Sequence, residues 1–186
     1  MQERAGAKVA ALVAGVAVMC LAVAACVWSL PLWGMGIRAD APLWARLAHP
    51  FVHGGVLHAL VNVYVLWQLV FFWPVRLRHL LAAYAVACSC PAAVALWGGG
   101  AGVSAVGLSG VLHVLLGMLM PHVPCRRRFL SALLLWSCVG WWSGCVAVGL
   151  HLWCFACGLL WVSAVSCLST ASTLRHTLVR WLRELP

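Results

Sequence analysis

Four polar side chains that could carry out nucleophilic catalysis lie within apolar stretches of the sequence. His58 and Asn62 lie in "HGGVLHALVN", Ser109 in "VGLSGVLHVLLG" and His151 in "VGLHLWCFACG". A serine with a histidine is the smallest combination of a nucleophile and a general base. A triad would add a carboxylate that orients the histidine. The acids of the chain all lie outside the predicted membrane spans: Glu3, Asp40 and Glu184. The residue types therefore predict a Ser109–His151 dyad.

The residues around the dyad are suited to stabilising an oxyanion. His58 and Asn62 are four residues apart, so they share one helix face, and both are side-chain donors. The glycines on either side of Leu108-Ser109, Gly107 and Gly110, would let the backbone and a scissile carbonyl approach closely. Structural interpretations stay open for each residue alone, because a serine often bonds to its own helix and a lone histidine or asparagine often joins two helices.

The composition is that of a polytopic membrane protein. The 186 residues are 65% hydrophobic, with a mean hydropathy of +1.02, which a soluble domain of this length could not bury. The 12 Lys and Arg residues against three acids lie between the apolar runs, a pattern typical of loops that face anionic lipid rather than nucleic acid. Most of the ten cysteines lie within apolar runs, where cysteine packs as a small hydrophobe. A disulfide framework is therefore not expected.

The apolar runs predict an all-α membrane protein with six transmembrane helices. Residues 1–168 form the membrane domain, and the basic tail of residues 169–186 is predicted to be cytoplasmic, as a helix at the membrane interface. The first run could also be a lipoprotein signal, since "VAAC" resembles a processing site, but its length favours a retained span. The predicted spans are 8–30, 55–73, 79–97, 107–120, 129–142 and 145–168.

Charge placement predicts the orientation of these spans. With the N-terminus inside, ten of the 12 basic residues fall in cytoplasmic segments and only Arg38 and Arg46 outside, as the positive-inside rule requires. Both termini are then cytoplasmic, and spans two, four and six all run inward. This topology places the four polar residues of the predicted site at similar depth, which favours one shared site that opens outward. We expect a bacterial inner-membrane protein.

The fourth predicted span is too short to cross a bilayer. About 14 residues reach only ~21 Å, against a hydrocarbon core of ~30 Å. This helix should therefore be central, surrounded by the others. The glycine-rich loop before it, "GGGAG", should dip below the membrane surface, where irregular backbone persists only in protein or beside a wet cavity.

Other chemistries fit the sequence less well. The chain has no HExxH motif for a zinc protease, and it lacks the buried acids that proton-coupled transporters usually carry. Two groups of residues could be considered as metal ligands. One is the histidine-rich segment with His49, His53 and His58. The other is His151, Cys154 and Cys157, which do not share a helix face and so could not easily bind one ion. No metal and no cofactor are expected.

Three motifs, in the same order along the chain, resemble those of the rhomboid intramembrane serine proteases over roughly residues 44–165. "GLSG" is similar to the family's GxSG motif and implies Ser109 as the nucleophile. "HGGVLHALVN" is similar to H-x4-H-x3-N, which implies that His58 and Asn62 form the oxyanion hole and that His53 is structural. "LHLWCFACG" resembles AHxxGxxxG, which implies His151 as the base, with Gly158 at the later glycine.

The chain departs from the family pattern at several positions. Cys154 replaces the first glycine after the histidine, and His113 stands where the family commonly has a tyrosine stacked on the catalytic histidine. An imidazole can stack, but it could also compete for the proton. Trp141 and Trp142 end span five, which is thought to be the substrate gate in related proteins. The compact chain also resembles rhombosortases, which are implied to process C-terminal sorting anchors.

The resemblance implies a serine endopeptidase that cleaves single-span membrane proteins near the outer leaflet. Two alternatives remain at this point. One is a catalytically inactive relative that binds membrane helices, and the other is a small transporter.

Overall fold

A computed structural model describes residues 2–30, 32–97, 104–143 and 147–183. The side chains of residues 32–33, 136, 139–143 and 168–183 lie outside the description, and so do the predicted "GGGAG" loop and the predicted gate side chains of Trp141 and Trp142. The described chain forms eight α-helices: α1 (Gln2–Val27), α2 (Leu43–Ala48), α3 (Val56–Phe72), α4 (Leu77–Ser89), α5 (Ala92–Ala95), α6 (Ser109–Leu119), α7 (Arg126–Ser143) and α8 (Val148–Arg183).

The helices agree with the apolar runs in order, but the third run is interrupted. The predicted span 79–97 is wrong as one continuous helix, because α4 ends at Ser89 and α5 begins at Ala92. Pro91 lacks an N–H group and disfavours helical backbone at the residue before it. Cys90 accordingly has φ −56° and ψ 127°.

Helix α6 is short and central. It has 11 residues, of which nine are buried, and it packs most extensively on α8 and also on α4 and α3. A 3-10 turn, Met120–His122, follows it directly. Burial on nearly all sides identifies a helix that lies inside the bundle rather than on its surface.

Two helices of the described chain are long and apolar enough to cross a membrane by themselves, Gln2–Val27 and the Val148–Cys167 part of α8. Val56–Phe72 and Ser109–His122 are apolar but shorter. The predicted division at residue 168 falls within α8, whose backbone continues to Arg183. The interfacial position of that tail stays a prediction.

The outer helix α1 packs on α3 and α4. A side chain at Gly15 would overlap the Trp67 ring, and the Trp67 Nε1–H group donates to the Ala11 carbonyl at 3.0 Å. The small residue in α1 thus admits a large ring from α3, and the hydrogen bond satisfies the indole N–H away from water.

The segment before α6 is held by backbone pairing. Ile37 and Ala105 exchange two hydrogen bonds, N–H of Ile37 to the Ala105 carbonyl at 2.9 Å and the reverse at 3.1 Å. This isolated antiparallel bridge ties the loop after α1 to the approach to Ser109.

Candidate active site

Ser109 and His151 meet across the packing of α6 on α8. Ser109 is the first residue of α6, and its Oγ atom lies 2.8 Å from Nε2 of His151. The His151 side chain is only 6% exposed, so water competes little for this bond. With the hydroxyl donating, Nε2 is the acceptor and the neutral ring carries its proton on Nδ1. This is the arrangement in which a histidine can take the proton of a serine.

Glycines allow the two helices to approach closely enough for this contact. A Cβ atom at Gly158 would overlap the carbonyl of Val114, and one at Gly117 would overlap that of Phe155. Small residues at a helix crossing bring backbones together in membrane proteins. The sequence analysis singled out Gly158 but missed Gly117, although its spacing of seven residues from Gly110 places both on one face of α6.

Gly110 allows a further close packing contact, next to Ser109. Its Cβ position lies 3.3 Å from the Ala87 Cβ atom on α4 and 3.5 Å from the Cys154 sulfur atom on α8. Cys154 is fully buried. The cysteine that departs from the family pattern therefore fills space beside Gly110.

His113 contacts both members of the dyad. Its ring is stacked on that of His151, with centroids 4.0 Å apart and planes 8° from parallel. Its Nδ1 atom lies 2.7 Å from the main-chain oxygen of Ser109, one helical turn before it. Because a carbonyl oxygen only accepts, Nδ1 of His113 carries the proton and donates it.

The loop into α6 has a backbone that requires glycine. Gly107 has φ +113°, in the region that side chains other than that of glycine rarely adopt. Its N–H group donates to the carbonyl of His49 at 2.8 Å. His49 is fully buried, and its ring Nδ1 lies 2.7 Å from the Arg46 carbonyl. The sequence analysis considered His49 only in a metal cluster and missed this contact, which involves a main-chain atom and leaves no motif.

His53 fixes the residue just before Ser109. The Leu108 N–H group donates to Nε2 of His53 at 3.2 Å, and Nδ1 of His53 lies 3.4 Å from the Phe51 carbonyl. The first contact requires a neutral ring, because a protonated Nε2 could not accept, and the second places the ring proton on Nδ1. Burial and, second, the neighbouring His58 lower the pKa of His53 to about 4. His53 thus contacts the loop before Ser109, and the structural role that the resemblance implies for it stays a prediction.

His58 lies beside Gly107, in the loop that leads to Ser109. A Cβ atom at Gly107 would be 3.0 Å from Cε1 and 3.2 Å from Nε2 of His58, so the absent side chain leaves room for the ring. Gly54 N–H lies 3.4 Å from Nδ1 of His58, which assigns the ring proton to Nε2. That N–H group is therefore available as a donor on the side of the ring that faces Gly107.

Asn62 is buried, 5% exposed, on the same face of α3. Its amide Nδ2 donates to the carbonyl of His58 at 2.9 Å. The amide is thus engaged within its own helix in this structure, and it contacts no group of Ser109 among the described hydrogen bonds.

The metal alternatives find no support among the described residues, where no three His, Cys, Asp or Glu side chains come together as a ligand set. The described acids lie elsewhere. Asp40 is paired with Arg38 at 3.0 Å, which lowers the pKa of its carboxyl, and Glu3 lies 3.9 Å from Arg78. No described carboxylate is therefore in position to form a triad with His151.

A rhomboid domain profile matches residues 40–170 of the chain. The chain belongs to the rhomboid family. It is accordingly an integral membrane protein. Members of this family are generally serine intramembrane proteases, which act on membrane proteins in the bilayer. No curated protein matches the chain. The matched region of this rhomboid protein contains Ser109, His151, His58 and Asn62.

Proposed function

We propose that this rhomboid protein is an active serine endopeptidase that cleaves membrane-anchored substrates with a Ser109–His151 dyad. The 2.8 Å contact between the Ser109 hydroxyl and Nε2 of His151 carries this proposal. It joins two groups 42 residues apart in the sequence, in a part-buried setting. Neither helix needs this contact in order to form. The hydroxyl has not turned back to its own helix, as isolated serines in transmembrane helices commonly do.

The reaction begins when Ser109 Oγ attacks the carbonyl carbon of the scissile peptide bond and its proton passes to Nε2 of His151. The new imidazolium then gives this proton to the leaving amine, so that an acyl-enzyme and a free amine result. Water attacks the ester with the same histidine as base, which releases the acid and restores the serine.

The negative charge that develops on the substrate oxygen needs donors. The Nε2–H group of His58 lies on the side of the ring that faces Gly107. The N–H group of Ser109, at the start of α6, has no partner within its own helix. The Asn62 amide would join them by exchanging its bond to the His58 carbonyl for the oxyanion. Such donors stabilise the charge most where water competes little for them.

The charges and the helices together support a proposal for the membrane topology. We propose six spans, formed by α1, α3, α4 with α5, α6, α7 and α8, with both termini cytoplasmic and the site open to the periplasmic side. Single-span substrates would enter from the outer leaflet, where their helix unwinds before cleavage. In support, the ends of α3 and α4 that meet at residues 73–77 carry Arg76 and Arg78, the sign expected of a cytoplasmic turn.

The test uses the full chain in detergent with a fluorophosphonate probe and a single-span protein substrate. Wild type should be labelled and should cleave, while Ser109→Ala and His151→Ala should abolish both. Ser163→Ala is the matched control, because Ser163 on α8 donates to the Leu159 carbonyl of its own helix at 3.0 Å. Absence of labelling in wild type would identify an inactive relative, and labelling of Ser109→Ala would refute the nucleophile.

A further inference from the structure

The His113 ring is placed as an orienting group for His151. It lies flat on that ring at a centroid distance of 4.0 Å, and it is only 7% exposed. Its own orientation is fixed, because Nδ1–H donates to the Ser109 carbonyl at 2.7 Å. Ser109 is therefore bound twice, through its hydroxyl to His151 and through its carbonyl to His113.

The described residues offer His151 no other orienting partner. In a triad, a carboxylate bonds the nitrogen of the histidine that faces away from the serine. Here no described residue bonds Nδ1 of His151, and the described acids, Glu3 and Asp40, are paired with arginines elsewhere. The ring plane is thus held by packing, with His113 as the parallel partner.

The stacked ring fits the stacking that the family resemblance implies at this position. We propose that having a histidine there has a further consequence: the stacked His113–His151 pair holds no more than one proton, so that acid can inactivate the dyad through either ring. This inference rests on the proposed function. His151 must become an imidazolium when it takes the serine proton. An imidazolium at His113 would put a second positive charge against that ring, and like charges at this separation repel strongly where water is scarce.

The surroundings of the pair do not offset this repulsion. The elements packed on α6 carry no acidic side chain among their described residues. The basic groups of α4, Arg76, Arg78 and His79, begin that helix, at the end far from Ser109. The remaining titratable groups of α3, α4 and α8 with described side chains are His58, Tyr64, Tyr84, Cys88, Cys154, Cys157 and Cys167.

The first experiment measures the rate of fluorophosphonate labelling against pH. His113→Phe keeps a flat ring but cannot take a proton, whereas His113→Leu has neither property. At mildly alkaline pH we expect His113→Phe to label within about threefold of wild type and His113→Leu to fall about tenfold or more, since small misplacements of a reacting group have effects of this size. Equal rates for the two variants would overturn the positioning role.

The acid limb of this pH–rate profile tests whether the two rings share one proton. In wild type either ring inactivates the dyad by taking a proton, but in His113→Phe only His151 can. The midpoint of the limb should therefore move to lower pH, by about 0.3 unit for two equivalent rings and by more where His113 binds the proton more readily than His151. Superimposable limbs would overturn this part of the inference. Leu119→Ala, a buried change in the same helix, controls for general destabilisation, and circular dichroism at each pH confirms that the chain is folded.

A second measurement does not depend on activity. In the full chain with 15N-labelled histidine, NMR titration should show that His113 and His151 together gain one proton over the range in which His151 alone gains one in His113→Phe. Two protons gained independently would refute the pair. Wild type that is not labelled at all would refute the proposed protease function, while the titration would still decide the state of the two rings.

Discussion

Gly158 of α8 lies directly against the main chain of Val114 in α6, so closely that a Cβ atom would overlap the Val114 carbonyl. Gly158 is seven residues after His151 in α8, and Val114 is five residues after Ser109 in α6. The distance between the two catalytic candidates therefore depends on how closely these backbones cross.

Replacing Gly158 with valine should separate α6 from α8 and lengthen the Ser109–His151 contact. We expect labelling by a fluorophosphonate to fall by roughly 100-fold, the effect of about 1 Å of misplacement, with a lower melting temperature in detergent. Gly34→Ala is the control, since a Cβ atom there would meet nothing within 4 Å. Full labelling of Gly158→Val would show that the crossing does not set the dyad geometry.

Replacing Gly107 with alanine should distort the loop that leads to Ser109. The φ angle of +113° disfavours any side chain by about 1–3 kcal/mol, and the new methyl group would press on the His58 ring. Both substrate cleavage and the free energy of unfolding should decrease. Gly6→Ala should leave cleavage unchanged and should not lower the free energy of unfolding, because its Cβ position is in ordinary contact, 3.5 Å from Leu77, and alanine favours the helix. A Gly107→Ala variant as active as Gly6→Ala would contradict the prediction.

Removing an oxyanion donor should reduce turnover more than binding. We expect His58→Ala and Asn62→Ala each to lower kcat by roughly 10²–10³, the usual effect of losing one such donor, with smaller changes in KM. Ser137→Ala is a suitable control, since Ser137 donates only to the Leu133 carbonyl of α7 at 2.9 Å. If Asn62→Ala kept full kcat, its amide would remain with the His58 carbonyl throughout the reaction.

Acid should destabilise the fold through the two histidines before α3. Burial lowers the pKa of His49 and of His53 from 6.5 to about 4, so on acidification the unfolded chain takes up these protons first. Stability should therefore be constant, as far as these groups are concerned, above about pH 6.5 and should decrease as the pH falls toward 4. Thermal unfolding in detergent at several pH values measures this slope.

His53→Gln should make that slope shallower, because one of the two groups no longer titrates. It should also lower stability at neutral pH, since the bond from Leu108 N–H to the ring is altered. An unchanged slope in this variant would mean that His53 does not contribute to the acid sensitivity.

The sequence by itself determined the kind of protein and the candidate chemistry. The long apolar runs and the composition predict a helical membrane protein, because backbone groups in lipid must be hydrogen-bonded and a run of about 20 apolar residues achieves this as a helix. The glycines beside Ser109 and the order of the three motifs led to the rhomboid family, which the match to residues 40–170 shows. These features are local, so they can be seen without knowing which helices touch.

Only the tertiary structure decided how the groups meet. The break in the third apolar run depends on Pro91, which can be recognised from the local sequence. The groups that the His113 and His151 rings contact cannot be recognised in this way. That Nδ1 of His113 donates to the Ser109 carbonyl, and that this ring lies flat on His151, depends on the rotation and separation of α6 and α8. Those are set by the close contacts at Gly117 and Gly158. Sequence spacing fixes which residues share a helix face, whereas packing between distant helices fixes which faces meet and at what distance.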